Sequence, residues 1–174
     1  MTSNPISKES NFKELLQTVR CFVFDIDGVL TDGSLMIQPD GTMLRRMNIK
    51  DGYALRLAAQ RNYDIFIISG SKQDGSAARL RNLGIEHVFT GVENKLAQLE
   101  NLMLRTRTRP DEILYMGDDM PDLEVMKICA VRTCPADAVH QIKSVCQYVS
   151  PFKGGEGCVR DVIEQVLTLR GEWS

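Results

Sequence analysis

Cys21-Phe22-Val23-Phe24-Asp25-Ile26-Asp27-Gly28-Val29-Leu30-Thr31-Asp32-Gly33 is an apolar run of strand type that ends abruptly in two aspartates. On a strand, the i, i+2 spacing of Asp25 and Asp27 puts both side chains on the same side. Gly28 follows at once and lets the backbone turn sharply. Two carboxylates held together at a strand end repel each other. The arrangement makes sense with a cation between them, or with the pair dividing nucleophile and acid/base duties.

Outward from this strand, the chain alternates between the two hydrophobic periods. Asn11 to Val19 has a helical stripe of Phe12, Leu15, Leu16 and Val19. After the strand, Gln38-Pro39-Asp40-Gly41 separates two short apolar runs, which is a hairpin signal covering residues 34–48. Helical patterns are expected over Asp51–Arg61, Ser76–Leu83 (closed by Gly84), Asn94–Leu104, Pro121–Ile128 and Cys158–Leu169. Strands are expected over Tyr63–Ile68, His87–Thr90, Glu112–Met116 and from Ala130. Alternating strands and helices argue an α/β fold, a Rossmann-like doubly wound parallel sheet with helices on both faces. The hairpin is too small to be a domain, so one domain is expected over 1–174, with 34–48 as a flap and 153–174 as a C-terminal tail and helix.

Length and composition bound the function classes. The 174 residues, 43% hydrophobic and 25% charged, suit one domain with a proper core. A net charge of −2 gives no electrostatic case for nucleic acid or an anionic membrane. No apolar stretch approaches the roughly 20 residues of a membrane span. Met1 to Glu9 is polar with no apolar signal region, so a cytoplasmic protein is expected. The five cysteines include no C-x-x-C pair, and they read as small buried hydrophobes. His87 and His140 stand alone and read as structural.

In a doubly wound sheet the ligand site lies beyond the carboxyl ends of the strands. The chemically suggestive residues fall there: Asp25, Asp27, Ser69, Lys95, Asp118, Asp119 and Asp122. Helix capping accounts for one acid of Gly117-Asp118-Asp119-Met120-Pro121-Asp122, but not for three acids beside the first pair. At ~4 Å and an effective dielectric near 20, each like-charged pair costs about 4 kcal/mol, so a cation is expected among them. Oxygen donors without histidine or thiolate select a hard ion, and Mg²⁺ is the natural choice. Lys95 and Ser69 supply what a phosphate needs, a positive charge and a hydroxyl donor, and Gly70 allows close approach of backbone N–H groups.

Asp25-Ile26-Asp27-Gly28, Ser69-Gly70, Lys95 and the Gly117–Asp122 cluster resemble, in order, motifs I to IV of the haloacid dehalogenase superfamily phosphatases. The resemblance implies that Asp25 is the nucleophile that forms an aspartyl-phosphate and Asp27 the acid/base. It implies Mg²⁺ ligation by Asp25, the backbone carbonyl of Asp27, and Asp118. Asp119 and Asp122 would orient metal waters and the lysine, while Ser69 and Lys95 hold the phosphoryl oxygens. With only a hairpin between motifs I and II, the chain is similar to the capless members.

The run Asp25–Gly33, then Asn48-Ile49-Lys50-Asp51-Gly52-Tyr53, then Gly154-Gly155-Glu156-Gly157-Cys158-Val159-Arg160, resembles the 3-deoxy-D-manno-octulosonate 8-phosphate phosphatases. That resemblance implies a sugar-acid phosphate substrate, a role in lipopolysaccharide synthesis, and a homotetramer in which a neighbour's hairpin completes the site. It also implies a mobile tail from Gly154 that folds over the substrate. An exposed apolar hairpin would itself be a liability unless covered. Gly70, Asp51 and Arg79 are the candidate substrate contacts, Arg79 for the sugar carboxylate. The chain departs from the family at Ser71-Lys72, where many members have Arg-Lys, and relatives acting on nine-carbon sugar acid 9-phosphates carry Glu at the Ser71 position. Ser71 favours neither substrate. A response-regulator receiver is disfavoured because the second acidic cluster follows Lys95. A non-catalytic relative keeping the fold for regulation or oligomerisation is the remaining alternative, although every catalytic position is filled.

Overall fold

The computed structural model describes residues 8–72 and 74–173. Most of the polar N-terminal segment read above, residues 1–7, lies outside them, as does the last residue of the tail. In chain order the elements are α1 (Lys8–Leu16), β1 (Cys21–Phe24), a hairpin of β2 (Met36–Ile37) and β3 (Met43–Leu44), α2 (Ile49–Gln60), β4 (Asp64–Ile68), α3 (Asp74–Asn82), β5 (His87–Phe89) and α4 (Lys95–Thr106). There follow β6 (Ile113–Met116), α5 (Leu123–Met126), β7 (Val131–Cys134), α6 (His140–Val145), β8 (Tyr148–Val149) and α7 (Cys158–Leu169).

Six strands form one sheet in the order β5-β4-β1-β6-β7-β8, and every pairing is parallel. The expected doubly wound sheet is therefore present. Strand β1 lies between β4 and β6, so the order reverses at its end, where such sheets bind ligands. Register fixes what meets there. Phe24 pairs with Ile67 on one side and Met116 on the other. The residues just beyond, Asp25, Ser69 and Gly117-Asp118, consequently emerge at one edge of the sheet.

Both faces of the sheet are covered, which is why its strands are near-continuous apolar runs. Alternate residues of β1 go to opposite faces. Phe22 and Phe24 join a core built with α1, α2, α3 and α7, whereas Cys21 and Val23 join a second core under α4, α5 and α6. Helix α7 buries Cys158, Val159, Val162, Ile163, Val166 and Leu167, a stripe of helical period. All five cysteines are buried and free, in keeping with the apolar reading.

The sequence reading omitted α6 and β8, and it drew α5 longer than its single turn. Six- and two-residue elements carry too few positions for a period to register. In the hairpin, Met36 pairs with Leu44 and Ile37 with Met43 across a turn in which Gly41 takes φ +85°. Leu35, Met36, Ile37, Met43 and Leu44 are all exposed. The base of the hairpin is pinned to the chain after β1 by a Thr31–Met47 bridge and by an Arg46–Asp32 ion pair of 2.9 Å.

Candidate active site

The loop after β1 is shaped by Gly28, which has φ +80°. A Cβ there would run into the Asp118 carboxylate. Glycine is thus required twice, for its left-handed backbone and for the room it leaves. Around it a cavity of about 350 Å³ is lined by Asp25, Asp27, Ser69, Gly70, Lys95 and Asp118, with Ser71, Asp119 and Pro121 at its edge. The four strand-end segments read from sequence are therefore brought together.

Asp25 is buried, and its carboxylate accepts from the Ile26 N–H at 2.7 Å and lies 2.9 Å from Lys95 Nζ. Lys95 opens α4, directly after the capping residue Asn94, and is 5% exposed. Its ammonium also donates to Asp122 Oδ1 at 2.7 Å. Burial alone would lower the Lys95 pKa, but Asp25 and Asp122 outweigh it and hold the group above its ordinary value. Asp122 is fully buried, and its Oδ1 accepts a second bond, from the Tyr115 hydroxyl at 2.7 Å, while Oδ2 accepts from the Asp118 N–H at 3.2 Å. Asp122 thus orients the lysine, as expected, and Tyr115 is a supporting residue the sequence reading missed. A buried strand tyrosine carries no separate signal, since it reads as core.

Asp25, Asp118 and Asp122 each offer a carboxylate oxygen within 4.8 Å of one another. Asp122 is fully buried outside the cavity lining, with two donors on its Oδ1 and the Asp118 amide on its Oδ2, whereas Asp25 and Asp118 line the cavity and are the carboxylates placed to face a cation. Their surroundings raise both above the ordinary carboxylate range. Desolvation, followed by the neighbouring Asp25, Asp122 and Asp119, pushes Asp118 up to about 8. Desolvation and Asp122 likewise raise Asp25, against the pull of Lys95. An oxygen-only donor set in which two carboxylates resist ionisation fits a hard divalent cation.

Asp27 is held differently. Arg45, on the return limb of the hairpin, donates from Nε to Asp27 Oδ1 at 2.7 Å and from Nη2 to Oδ2 at 3.4 Å. The Ser71 hydroxyl donates to Oδ2 at 2.8 Å. Arg45 was not among the expected site residues. It is one of two adjacent arginines, and only the path of the hairpin turns its side chain inward.

Other expected residues stand elsewhere. Asp119 is exposed at the mouth and accepts from the Met120 N–H at 2.7 Å, the capping role open to any acid there. Asp51, expected as a substrate contact, is a correction: it is 1% exposed, and its Oδ1 accepts from the Arg160 N–H at 2.8 Å. It caps the start of α7 from α2. Arg79 is exposed on α3 and lines a neighbouring cavity of about 510 Å³ beneath the hairpin, together with Lys72 and Arg45. Arg45 lines this second cavity and bonds Asp27, which lines the first. The segment from Gly154 is likewise corrected. It packs behind the Gly28–Asp32 loop, with the Gly155 N–H donating to Val29 O at 2.9 Å and Asn48 Nδ2 donating to Gly155 O at 3.2 Å. A Cβ on Gly154 would collide with the Gly28 carbonyl. Among the described residues, none from 153 onward lines the cavity of the aspartates.

Comparison with known proteins agrees with this geometry. Residues 84–162 match the haloacid dehalogenase-like hydrolase family. The chain is 33% identical over 156 residues to the 3-deoxy-D-manno-octulosonate 8-phosphate phosphatase of Salmonella typhi, covering 90% of this chain and 83% of that protein. The crystal structure of the Yersinia pestis enzyme of that name superposes with a TM-score of 0.91 at 29% identity, over 94% of this chain and 88% of that one. The Moraxella catarrhalis enzyme, solved in complex with magnesium, phosphate and the KDO molecule, superposes with a TM-score of 0.90 at 27% identity, over 94% of each chain. Similarity in sequence and in fold over most of the length gives the family: this chain belongs to the haloacid dehalogenase-like hydrolases, within the family of the 3-deoxy-D-manno-octulosonate 8-phosphate phosphatases.

Proposed function

We propose that this protein is a Mg²⁺-dependent phosphatase that hydrolyses 3-deoxy-D-manno-octulosonate 8-phosphate to the free sugar acid and phosphate, in lipopolysaccharide synthesis. The observation that carries the reading is the buried Asp25 carboxylate, 2.9 Å from Lys95 in a cavity shared with Ser69, Asp27 and Asp118. The named relatives supply the substrate.

Asp25, Asp118 and the backbone carbonyl of Asp27 would hold the Mg²⁺. The ion would neutralise their charge and that of the phosphoryl oxygens. An Asp25 carboxylate oxygen attacks phosphorus while the phosphorus–oxygen ester bond breaks. The leaving sugar oxygen keeps that electron pair and takes a proton from Asp27. Asp27 then accepts a proton from water as the water oxygen attacks the aspartyl-phosphate, which releases phosphate and restores the Asp25 carboxylate. Lys95, fixed by Asp122, and Ser69 hold the phosphoryl oxygens as charge builds. Arg79 is the proposed contact for the sugar carboxylate, across the adjoining cavity.

The catalytic unit is read as one domain spanning 1–174. The exposed apolar hairpin supports assembly into a homotetramer. No described helix is long and apolar enough to cross a membrane, and a cytoplasmic location accompanies the proposed substrate.

Phosphate release across a panel of sugar-acid phosphates, including nine-carbon 9-phosphates, tests reaction and substrate together. Turnover is expected with Mg²⁺ and the eight-carbon substrate. It should fall at least about a thousandfold in Asp25→Asn, where the nucleophile is absent, and after EDTA treatment. Retained turnover in either case overturns the reading.

A further inference from the structure

We infer that Arg45 is a positioning residue for Asp27, supplied by the chain's own hairpin to its own active site. The inference rests on the phosphatase reading above, which makes Asp27 the proton carrier. Three observations carry it. First, the contact is two-pronged: Nε and Nη2 of one guanidinium address the two oxygens of one carboxylate, at 2.7 and 3.4 Å. This fork fixes the carboxylate plane, which a single point charge would not. Second, the Arg45 side chain is only 7% exposed, whereas the adjacent Arg46 side chain is 73% exposed. A cation is buried to this degree where it has a partner. Third, the hairpin is anchored next to the site. The Thr31–Met47 bridge pins its return limb two residues beyond Arg45, and Thr31 itself accepts from the Gly28 N–H at 3.3 Å.

The hairpin therefore has two jobs on two sides. Its apolar residues face outward and are exposed, while Arg45 reaches back to Asp27. Ser71 completes the hold from the loop after β4, donating to Asp27 Oδ2 at 2.8 Å. Both partners aim a group that must meet first the leaving oxygen and then the attacking water. A displacement of about 1 Å at such a group costs on the order of a hundredfold in rate.

The test is kinetic. With 3-deoxy-D-manno-octulosonate 8-phosphate and Mg²⁺, Arg45→Ala is expected to lower kcat about ten- to a hundredfold without raising KM. Arg45→Lys should recover part of the loss and Arg45→Gln less. Ser71→Ala, in a separate loop, should give a smaller loss of the same kind and keeps the idea testable if Arg45→Ala folds poorly. In a single turnover of p-nitrophenyl phosphate, whose leaving group needs no proton, phosphoryl transfer should be nearly spared in Arg45→Ala. Mixed oligomers of Arg45→Ala and Asp25→Asn chains should remain as slow as Arg45→Ala alone, because each site uses its own hairpin.

A raised KM at unchanged kcat would make Arg45 a substrate contact and overturn the inference. So would equal losses on both substrates in the phosphoryl-transfer step, or recovery of activity in mixed oligomers. If the wild type shows no Mg²⁺-dependent turnover, the phosphatase reading fails instead. If the wild type is active, Asp25→Asn is dead and Arg45→Ala is normal, only the role of Arg45 falls.

Discussion

Five acidic side chains stand at this sheet edge, and their surroundings differ, although Lys95 bridges two of them, Asp25 and Asp122. Asp25 and Asp118 are set to face a cation, Asp122 is committed to Lys95 and Tyr115, Asp27 to Arg45 and Ser71, and Asp119 to capping. Like residues acquire unlike roles because burial and partners differ at each position. Asp118, pushed from an ordinary 3.8 up to about 8, has a consequence for stability. Between about pH 4 and 8 the unfolded chain releases this proton while the folded, metal-free chain keeps it. The folded state then binds more protons, so its stability falls as pH rises through that window. Mg²⁺ relieves the repulsion, so the rise in melting temperature it produces should be larger at pH 8 than at pH 5. Melting curves with and without Mg²⁺ at the two pH values check this, and equal shifts would contradict it. Tyr115→Phe removes a donor to the buried Asp122 carboxylate and should cost about 1–3 kcal/mol in urea unfolding, with reduced kcat.

At the scale of elements, the loop between β1 and the hairpin is backed by the segment that leads into α7. The Gly155 N–H bonds Val29 O, and Gly154 packs on the Gly28 carbonyl, close behind the site. Glycines that resemble a loose link are small because two backbones touch. Gly154→Ala should therefore destabilise the protein by about 1–3 kcal/mol through overpacking and lower activity by shifting the Gly28 loop. A truly flexible link would tolerate alanine, so an unchanged melting temperature would refute the packing account. Asp51 belongs to the same join, since it caps α7 from α2 and ties the last helix to the face beneath the hairpin. Its position in a site-like motif and its structural contact are compatible: motifs include the residues that seat the loops.

Across the whole molecule, the hairpin groups five exposed apolar residues, Leu35, Met36, Ile37, Met43 and Leu44, on one small element. Met36 and Ile37 are each 69% exposed, on two-residue strands that cannot form a core of their own. The proposed tetramer would bury them against copies of the chain. Met36→Glu combined with Ile37→Glu should shift the light-scattering mass toward the 19.6 kDa monomer while leaving the sheet intact by circular dichroism. An unchanged mass would place the interface elsewhere.

The sequence by itself determined the sheet and the edge at which the candidate site lies. Apolar strands of period two and helices of period 3.6 are local patterns, and acids, serine and lysine at strand ends are legible from order alone. Asp25, Ser69, Lys95, Asp118 and Asp122 were found in this way, and all meet in one cavity or line its support. Only the tertiary structure decided how the acids are shared out. Arg45 lies eighteen residues from Asp27 along the chain, a distance over which no sequence period operates, and Tyr115 sits on a buried strand whose pattern marks it only as core. Asp51 and Gly154 were misplaced for the same reason. Their partners, Arg160 and Gly28, are brought to them by the packing of α7 on α2 and on the loop after β1. Hydrophobic burial sets that packing, and polar side chains then bond whatever the folded backbone leaves within reach.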